Sequence, residues 1–426
     1  VTTNQPFSVR IHGPATDQPV TNTNNVVDQR TRLSKAVERL ASDAKLRAAM
    51  QLLFQNEDDI PYETKVETMR SKFVPRSTPV TEVASRVVTA PFTSRAVGKV
   101  LRKMSKHSAC AIDAWTRSLW LQAIAYEPDV ACDLGVILAA VNDGAFGTIV
   151  MDCLRLGRLV AVPKPSGGSR PIVISSSFLR LVGSLCLLRC GTSVSKFQYA
   201  IGQKHGCERI VHELRAAAAS GHCIVRIDST NAFNLAPRSE IAALLRDSQT
   251  DLTRYFNTVY EPSSKLVMYG PCGEMTFINS DEGVRQGDAT SGLLFCLLMD
   301  VLIANVTAAC GEQGVNVSLK AYMDDLTIVC SPGDARFVTD TVARQMEELG
   351  FQANLSKSSV FCSAGTLDCD LRQASLAESF IVLGANICGD FSDFLSAQQV
   401  KLDTFFSKLK SIDVHPAIIF AMLRFC

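Results

Sequence analysis

The run "LKAYMDDLTIVC", Leu319 to Cys330, is apolar and β-leaning except for two adjacent aspartates at its centre. Neighbouring carboxylates repel, and burying either without a partner costs on the order of several kcal/mol. The pair therefore marks the tip of a β-hairpin, anchored by Ala321 and Met323 on one side and Leu326 to Val329 on the other. A positive charge is expected beside it.

The rest of the chain changes texture along its length. Residues 1–30 are polar, with "TNTNN" and little periodicity, and read as a flexible tail. From Thr31 helical spacing takes over, in Leu33, Val37 and Leu40, then Leu46, Met50 and Leu53, and again in "SRAVGKVLRKMSKHSACAIDAWTRSLWLQAIA" and "VACDLGVILAAVNDG". Near Leu159, "LVAVPKPSGGSRPIVI" gives two short β-prone runs around a Gly-Gly turn, a two-stranded hairpin. Beyond it, helical runs such as "CERIVHELRAAAA", "SEIAALLRDS", "GLLFCLLMDVLIANVTAA" and "FVTDTVARQMEELG" alternate with the strands "HCIVRIDSTNAF", "KLVMYG", "KAYMDDLTIVC" and "FIVLGANIC". This order predicts an α+β fold, an antiparallel sheet with helices on one face.

With 426 residues, 47% hydrophobic and 20% charged, the chain has enough material for two or three subdomains, and disordered or collagen-like classes are excluded. A net charge of +1 requires any polyanion groove to be a local patch. The 15 cysteines contain no C-x-x-C pair and fit reduced, core-filling thiols in a reducing intracellular compartment better than disulfides or zinc. No basic-then-apolar leader opens the chain, and the longest apolar run, "GLLFCLLMDVLIA", holds Asp300 and is short for a bilayer, so no membrane partner is expected. The missing initiator Met and the end at "MLRFC" suggest a piece of a longer product.

In "VRIDSTNAF", Asp228 ends the Ile224-Val225-Ile227 strand and, alone, would be a turn former or helix cap. Set beside Asp324 and Asp325 it becomes the third carboxylate of an oxygen-rich site suited to Mg²⁺, provided the two strands are neighbours. Two such ions about 3.5–4 Å apart can clamp the attacking and leaving oxygens of an in-line phosphoryl transfer. Lys164 and Arg170 flank the Gly-Gly turn and either reach a triphosphate or are solvated charges. Gln286 and Gly287 precede the apolar helix Leu293 to Ile303, where Gly allows close backbone approach and the helix start offers free N–H groups. Phe233, five residues after Asp228, is core by default, and Lys357 in "NLSKSS" is a loop lysine by default.

Six segments in order carry a family resemblance: "VPKPSGGSRPIVI", "VRIDSTNAF", "GVRQGDATSGLLFCLLMD", "AYMDD", "LGFQANLSKSSV" and "FIVLGANI". Over roughly Leu156 to Gly389 the chain resembles reverse transcriptases, most closely those of non-LTR retrotransposons. The resemblance implies a right-hand polymerase: a helical N-terminal extension over 31–150, fingers over 151–221, an antiparallel palm over 222–392 with finger elements between 235 and 290, and the start of a truncated thumb over 393–426. It implies RNA-directed DNA synthesis with Asp228, Asp324 and Asp325 holding two Mg²⁺ ions, Mn²⁺ being a possible substitute.

By the same resemblance Lys164 and Arg170 grip the incoming dNTP, and Phe233 excludes a ribose 2′-hydroxyl. Gln286 and Gly287 position nucleotide and template, and Lys357 sits by the departing pyrophosphate. Tyr322, Met323, Leu383 and Gly384 meet the primer end. The implied partners are an RNA template, a target-site DNA primer and dNTPs, in the nucleus, with flanking domains such as an endonuclease outside this chain. Ala289, Thr290 and Asn234 depart from frequent family residues, and none of them is a metal ligand. A viral RNA polymerase and a non-catalytic RNA-binding scaffold of the same architecture are the alternatives. Phe233 with the Gln-Gly motif opposes the first, and survival of all three aspartates opposes the second.

Overall fold

Residues 32–38, 60–76, 78–80, 88–105, 108–164, 168–191, 193–246, 250–362, 375–376, 380–389, 391–416 and 418–419 are described by the structure, a computed structural model. The polar stretch 1–30 and the helical spacing through Leu40, Leu46, Met50 and Leu53 lie outside them. Two compact units are present, one of residues 60–391 and one of residues 1–59 with 392–426.

In the larger unit the helical spacing yields α2 (Ser94–Lys103), α3 (Arg117–Tyr126) and α4 (Val130–Asn142), and two helices that the spacing did not single out flank them, α1 (Tyr62–Arg70) and α5 (Thr148–Arg155). Thr93 and Thr116 cap α2 and α3, their hydroxyls accepting from the backbone N–H groups of Ala96 and Leu119. The texture change near Leu159 is the hairpin β1 (Gly157–Pro163) and β2 (Ser169–Ile174), followed by α6 (Ser177–Cys190). The sequence indicated a two-stranded hairpin. The structure extends it to four strands in the order β2-β1-β4-β5, because β4 (Ser264–Tyr269) adds parallel to β1 through Gly157↔Leu266 and carries β5 (Met275–Ser280) with it. That pairing joins segments distant in the chain, which local patterning does not encode.

Between these sheet halves come α7 (Gly206–Ala219), β3 (Cys223–Ile227), the short α8 (Ala232–Leu235), α9 (Arg238–Leu245) and α10 (Asp251–Val259). After β5 follow α11 (Ser291–Glu312), β6 (Ser318–Tyr322), β7 (Asp325–Cys330), α12 (Ala335–Glu348), β8 (Ser359–Cys362), β9 (Ser375–Leu376), β10 (Phe380–Val382) and β11 (Ala385–Cys388). Five of these strands form a sheet ordered β6-β7-β3-β8-β9, antiparallel except for the short β8–β9 pair. The architecture is α+β.

Helices cover this sheet on both faces, not on one. Every residue of β3 except Arg226 is buried, so neither face can be left to solvent. Val225, Ile227, Ile328 and Cys330 pack into the main core with α11 and α12. Ile224 and Val329 point the other way, into a second cluster with Ile210, Val211 and Leu214 of α7 and with the β10–β11 hairpin. Helix α11 is, at 22 residues, long and apolar enough to cross a membrane by length and composition, more than the sequence reading allowed. In this fold it is a core helix, with Leu294, Phe295, Leu298 and Leu302 fully buried.

In the smaller unit, α13 (Phe391–Ser411) contributes Phe405 and Leu409 to a separate core with Val37, Ile412 and Val414. The Asp413 N–H donates to Ser34 Oγ at 3.1 Å.

One buried cation ties the larger unit's loops together. Arg238, fully buried, donates from Nε to the Gly283 carbonyl at 2.8 Å, from Nη1 to the Tyr260 carbonyl at 2.7 Å and from Nη2 to Ser280 Oγ at 3.2 Å. Its own N–H donates to Glu282 Oε1 at 2.7 Å. Arg238→Ala empties a fully buried site, leaves the Gly283 carbonyl without its side-chain donor and takes one of two donors from the Tyr260 carbonyl, and is expected to cost about 3 kcal/mol. Urea unfolding checks this, and an unchanged midpoint would refute it.

Candidate active site

Strand register brings the carboxylates together. The last pair between β3 and β7 is Ile227↔Leu326, so one step beyond it Asp228 stands opposite Asp325. Tyr322↔Asp325 closes the β6–β7 hairpin, leaving Met323 and Asp324 as its two-residue turn. Met323 takes φ +56°, a left-handed conformation costly for a side chain of its size. Gln198 holds the turn there. Wholly buried, it accepts the Met323 N–H at 2.9 Å and aims its Nε2 at the Met323 carbonyl at 3.4 Å. The flanking backbone locks to β6 through Tyr199 N–H to Ala321 O and Ala321 N–H to Phe197 O, each 2.8 Å. Met323 Sδ rests 3.6 Å from Cys296 Sγ on α11.

On the other side, the Asp228 N–H donates to Ser358 Oγ at 3.1 Å and its carbonyl accepts from the Asn354 N–H at 2.8 Å. Ser358 in turn donates to the Asn354 carbonyl at 2.8 Å. These bonds fasten the single-turn helix Leu355–Lys357, and with it the exposed Lys357, to the end of β3.

Burial, then the neighbouring Asp325 charge, holds the Asp228 carboxyl above its ordinary range against Arg226, Lys357 and Lys164. Asp324 is raised chiefly by burial and by Asp325 and Asp228, against its own backbone N–H and Arg170. Three carboxylates and the cations Lys164, Arg170 and Lys357 thus share one electrostatic neighbourhood. Residues 165–167 of the hairpin turn lie outside the described ones, while Lys164 N–H donates to the Gly168 carbonyl at 2.9 Å.

Arg226 is a member that the sequence reading missed. It lies two residues before Asp228 on the same face of β3, and its Nη2 donates to Asp325 Oδ1 at 3.1 Å. The signal was the strand's period of two, applied backwards from Asp228. Among the described residues no three His, Cys, Asp or Glu side chains are gathered so as to hold a metal ion as they stand, Asp325 being paired with Arg226 instead. By donor type the site still fits a hard divalent cation: its ligands are all carboxylate oxygens, and two of them are raised by burial and mutual repulsion that a cation relieves.

Phe233, half-buried, stacks on Phe295 with centroids 4.7 Å apart, and its carbonyl accepts the Val284 N–H at 2.7 Å. The neighbouring Asn234 is buried in the core. The Gln286 carbonyl accepts the Val173 N–H at 2.8 Å, docking the Gln-Gly segment on β2. Gly287 has φ +110°, and a Cβ there would lie 2.7 Å from the Val173 carbonyl oxygen, so only glycine permits this approach.

Behind it, Asp288 accepts the hydroxyls of Tyr260 at 2.6 Å and Tyr255 at 2.9 Å. The buried Arg285 donates to the Arg155 carbonyl at 2.8 Å and to Ser264 Oγ at 2.6 Å. Leu383 and Gly384 form the β10–β11 turn with φ +49° and +80°. Leu383 and Tyr322 border the same cluster, on the side of the sheet opposite the main core. The Tyr322 hydroxyl is pushed up first by a hydrogen bond with Cys207 and then by burial.

Residues 162–402 match the model of the family described as reverse transcriptase (RNA-dependent DNA polymerase). The chain is 25% identical over 276 residues to the retrotransposable element SLACS 132 kDa protein of Trypanosoma brucei gambiense, covering 61% of this chain and 22% of that protein. It is 26% identical over 215 residues to the retrovirus-related Pol polyprotein from type-1 retrotransposable element R2 of Popillia japonica, covering 46% of this chain and 30% of that protein. The chain thus spans between about a fifth and a third of the curated relatives it matches. Among solved structures, telomerase from Candida albicans with a fragment of telomeric RNA aligns at TM-score 0.41 and 10% identity over 57% of this chain and 47% of that one.

The raised carboxyls carry a stability consequence. A folded-state value above the ordinary 3.8 means the folded chain holds these protons more tightly than the unfolded chain. The penalty is absent below that ordinary value and complete once pH exceeds the raised ones. In EDTA, Asp228→Asn and Asp324→Asn should therefore melt above the unsubstituted chain at pH 7, with the gap closing towards pH 4. MgCl₂ should narrow it by stabilising only the unsubstituted chain. Thermal melts across pH check this, and variants less stable at pH 7 would contradict it.

Proposed function

The chain belongs to the reverse transcriptase (RNA-dependent DNA polymerase) family, and we propose that it copies RNA into DNA by extending a primer 3′-hydroxyl, with Asp228, Asp324 and Asp325 as its catalytic carboxylates. The observation that carries this is the strand register. It sets Asp228 opposite Asp325 and puts Asp324 in the adjoining turn, all within the segment that matches the family. Enzymes of this family use divalent metal ions and act on an RNA template. For this chain the proposed ions are two Mg²⁺, replaceable by Mn²⁺, held by the three aspartates. When bound they lower the cost of forming the attacking alkoxide and of charge on the transferring phosphoryl group.

The protein's own groups do the positioning. In this reading the five-stranded sheet is the palm and the four-stranded sheet belongs to the fingers. Lys164, just past the end of β1, and Arg170, on β2, take the triphosphate of the dNTP. The Phe233 ring, fixed by its stack on Phe295, fills the space a 2′-hydroxyl would need. Gln286 and Gly287, pinned to Val173, present main chain to the nucleotide and template. Lys357, anchored through Asn354 and Ser358 to the end of β3, protonates or steadies the departing pyrophosphate. Tyr322, Met323, Leu383 and Gly384 receive the primer end. The primer is a target-site DNA end and the template a retrotransposon RNA, which makes the nucleus the place of action, with an endonuclease among the flanking domains.

Primer extension on an RNA template tests this reading. The unsubstituted chain should incorporate dNTPs with Mg²⁺, and Asp228→Asn and Asp324→Asn should lose at least about a hundredfold in rate. Extension no better than that of the variants would sink the assignment, and a preference for NTPs would point to RNA synthesis instead. Phe233→Ala should raise ribonucleotide use about tenfold or more relative to dNTP use. Unchanged sugar selectivity would remove Phe233 from that role.

A further inference from the structure

A third lysine approaches the site from outside the family-matching segment. Lys72 follows α1, and its carbonyl accepts a hydrogen bond from Asn231 Nδ2 at 2.7 Å, three residues after Asp228. The segment is anchored on either side of it. The Tyr62 hydroxyl reaches the Met268 carbonyl at 3.2 Å and Thr276 Oγ1 at 3.0 Å, and Val66 and Met69 pack with Leu159, Val173 and Leu266 against the four-stranded sheet. Beyond Lys72, the Arg76 guanidinium donates to the carbonyls of Asp281 at 3.0 Å, Tyr260 at 3.1 Å and Glu261 at 2.7 Å.

Held this way, the partly buried Lys72 ammonium feels the charges of both Lys164 and Lys357, and burial and then these two lower its pKa. The same two lysines act on Asp228. Among the described residues none of the three lysines makes an ion pair. Crowding and partly desolvating three like charges is unfavourable unless an anion completes the arrangement. The cations gather beside the carboxylate centre instead of being strung along a groove, which suits an anion with several charges on one short group.

We propose that Lys72 is a binding residue for the triphosphate of the incoming nucleotide, completing with Lys164 and Lys357 a three-lysine clamp contributed by three separate segments of the chain. The inference rests on the polymerase reading, from which its test is kept distinct. Lys72 is held through its backbone carbonyl, so substituting the side chain leaves that bond in place.

The experiment compares the unsubstituted chain with Lys72→Ala and Lys72→Arg. It measures equilibrium binding of a fluorescent dATP to the chain carrying a dideoxy-terminated primer on RNA, affinity for that duplex, and single-nucleotide extension. Lys72→Ala should weaken nucleotide affinity and raise the dNTP KM about ten- to a hundredfold, while duplex affinity stays within about twofold and kcat falls less than KM rises. Lys72→Arg should recover most of the loss. Unchanged nucleotide affinity, or weakened duplex affinity with normal nucleotide affinity, which would mark a nucleic-acid backbone contact, overturns the proposal. Failure of the unsubstituted chain to extend defeats the polymerase reading while the binding arm still decides on Lys72; failure of that chain to bind nucleotide defeats both.

Discussion

Five backbone pairings between β3 and β7, from Cys223↔Cys330 to Ile227↔Leu326, set Asp228 against Asp325, and the β6–β7 hairpin closed on that ladder places Asp324 beside them. β3 is held from its other side as well, through Cys223↔Cys362 to Arg226↔Ser359 on β8. A slip of one residue in either ladder would send Val225 and Ile227 out of the main core and Ile224 into it, so burial on both faces enforces the register. The same register sets Asp228 against Asp325 at the strand ends. The chemistry is therefore positioned by the hydrophobic core, and the carboxylates contribute nothing favourable to it by themselves.

The site accordingly stores unfavourable terms that its surroundings absorb. Met323 sits in left-handed backbone because a two-residue turn is the tightest way to end β6 with Asp324 beside Asp325, and the buried Gln198 amide supplies the main-chain partners that keep it there. Asp228 and Asp324 are held with their proton affinities raised, and Arg226 offsets part of the repulsion by pairing with Asp325. Arg226 occupies Asp325 Oδ1, an oxygen that a divalent cation held there would have to share or take over.

Much of this was legible in the sequence where a local rule was broken. Two aspartates inside an apolar run marked a hairpin tip, but the tip is shifted by one residue: Met323, expected as an apolar flank, shares the turn with Asp324, and Asp325 already opens β7. Asp228 was legible as the end of an apolar strand, and Gly287 as a close backbone approach, which Val173 makes specific. Features that break no local rule were hidden. Gln198 in "SKFQYA" and Lys72 in "MRSKFV" are ordinary polar residues in ordinary surroundings, and their importance comes from contacts with Met323 and Asn231 far along the chain. The parallel β1–β4 pair and the second covered face of the central sheet are likewise long-range, and the residues involved read equally well as edge strand and surface helix.

The near-zero net charge is consistent with a polyanion-handling site because the charges are sorted by segment. Asp228 and Asp325 stand at strand ends and Asp324 in the adjoining turn, where the sheet's register converges them. The cations that oppose them sit on a hairpin, a single-turn helix and the stretch after α1, elements whose backbones are anchored separately, on Gln286, on the end of β3 and on Asn231. Lysines placed on one strand would have been fixed at its spacing of roughly 3.3 Å per residue, and would repel along their whole length. Drawing them from three segments lets each be held by its own anchor, so that the repulsion concentrates at the one point where an anionic ligand relieves it. Bulk composition is silent about such a site, since what matters is which short segments the core brings to the end of β3.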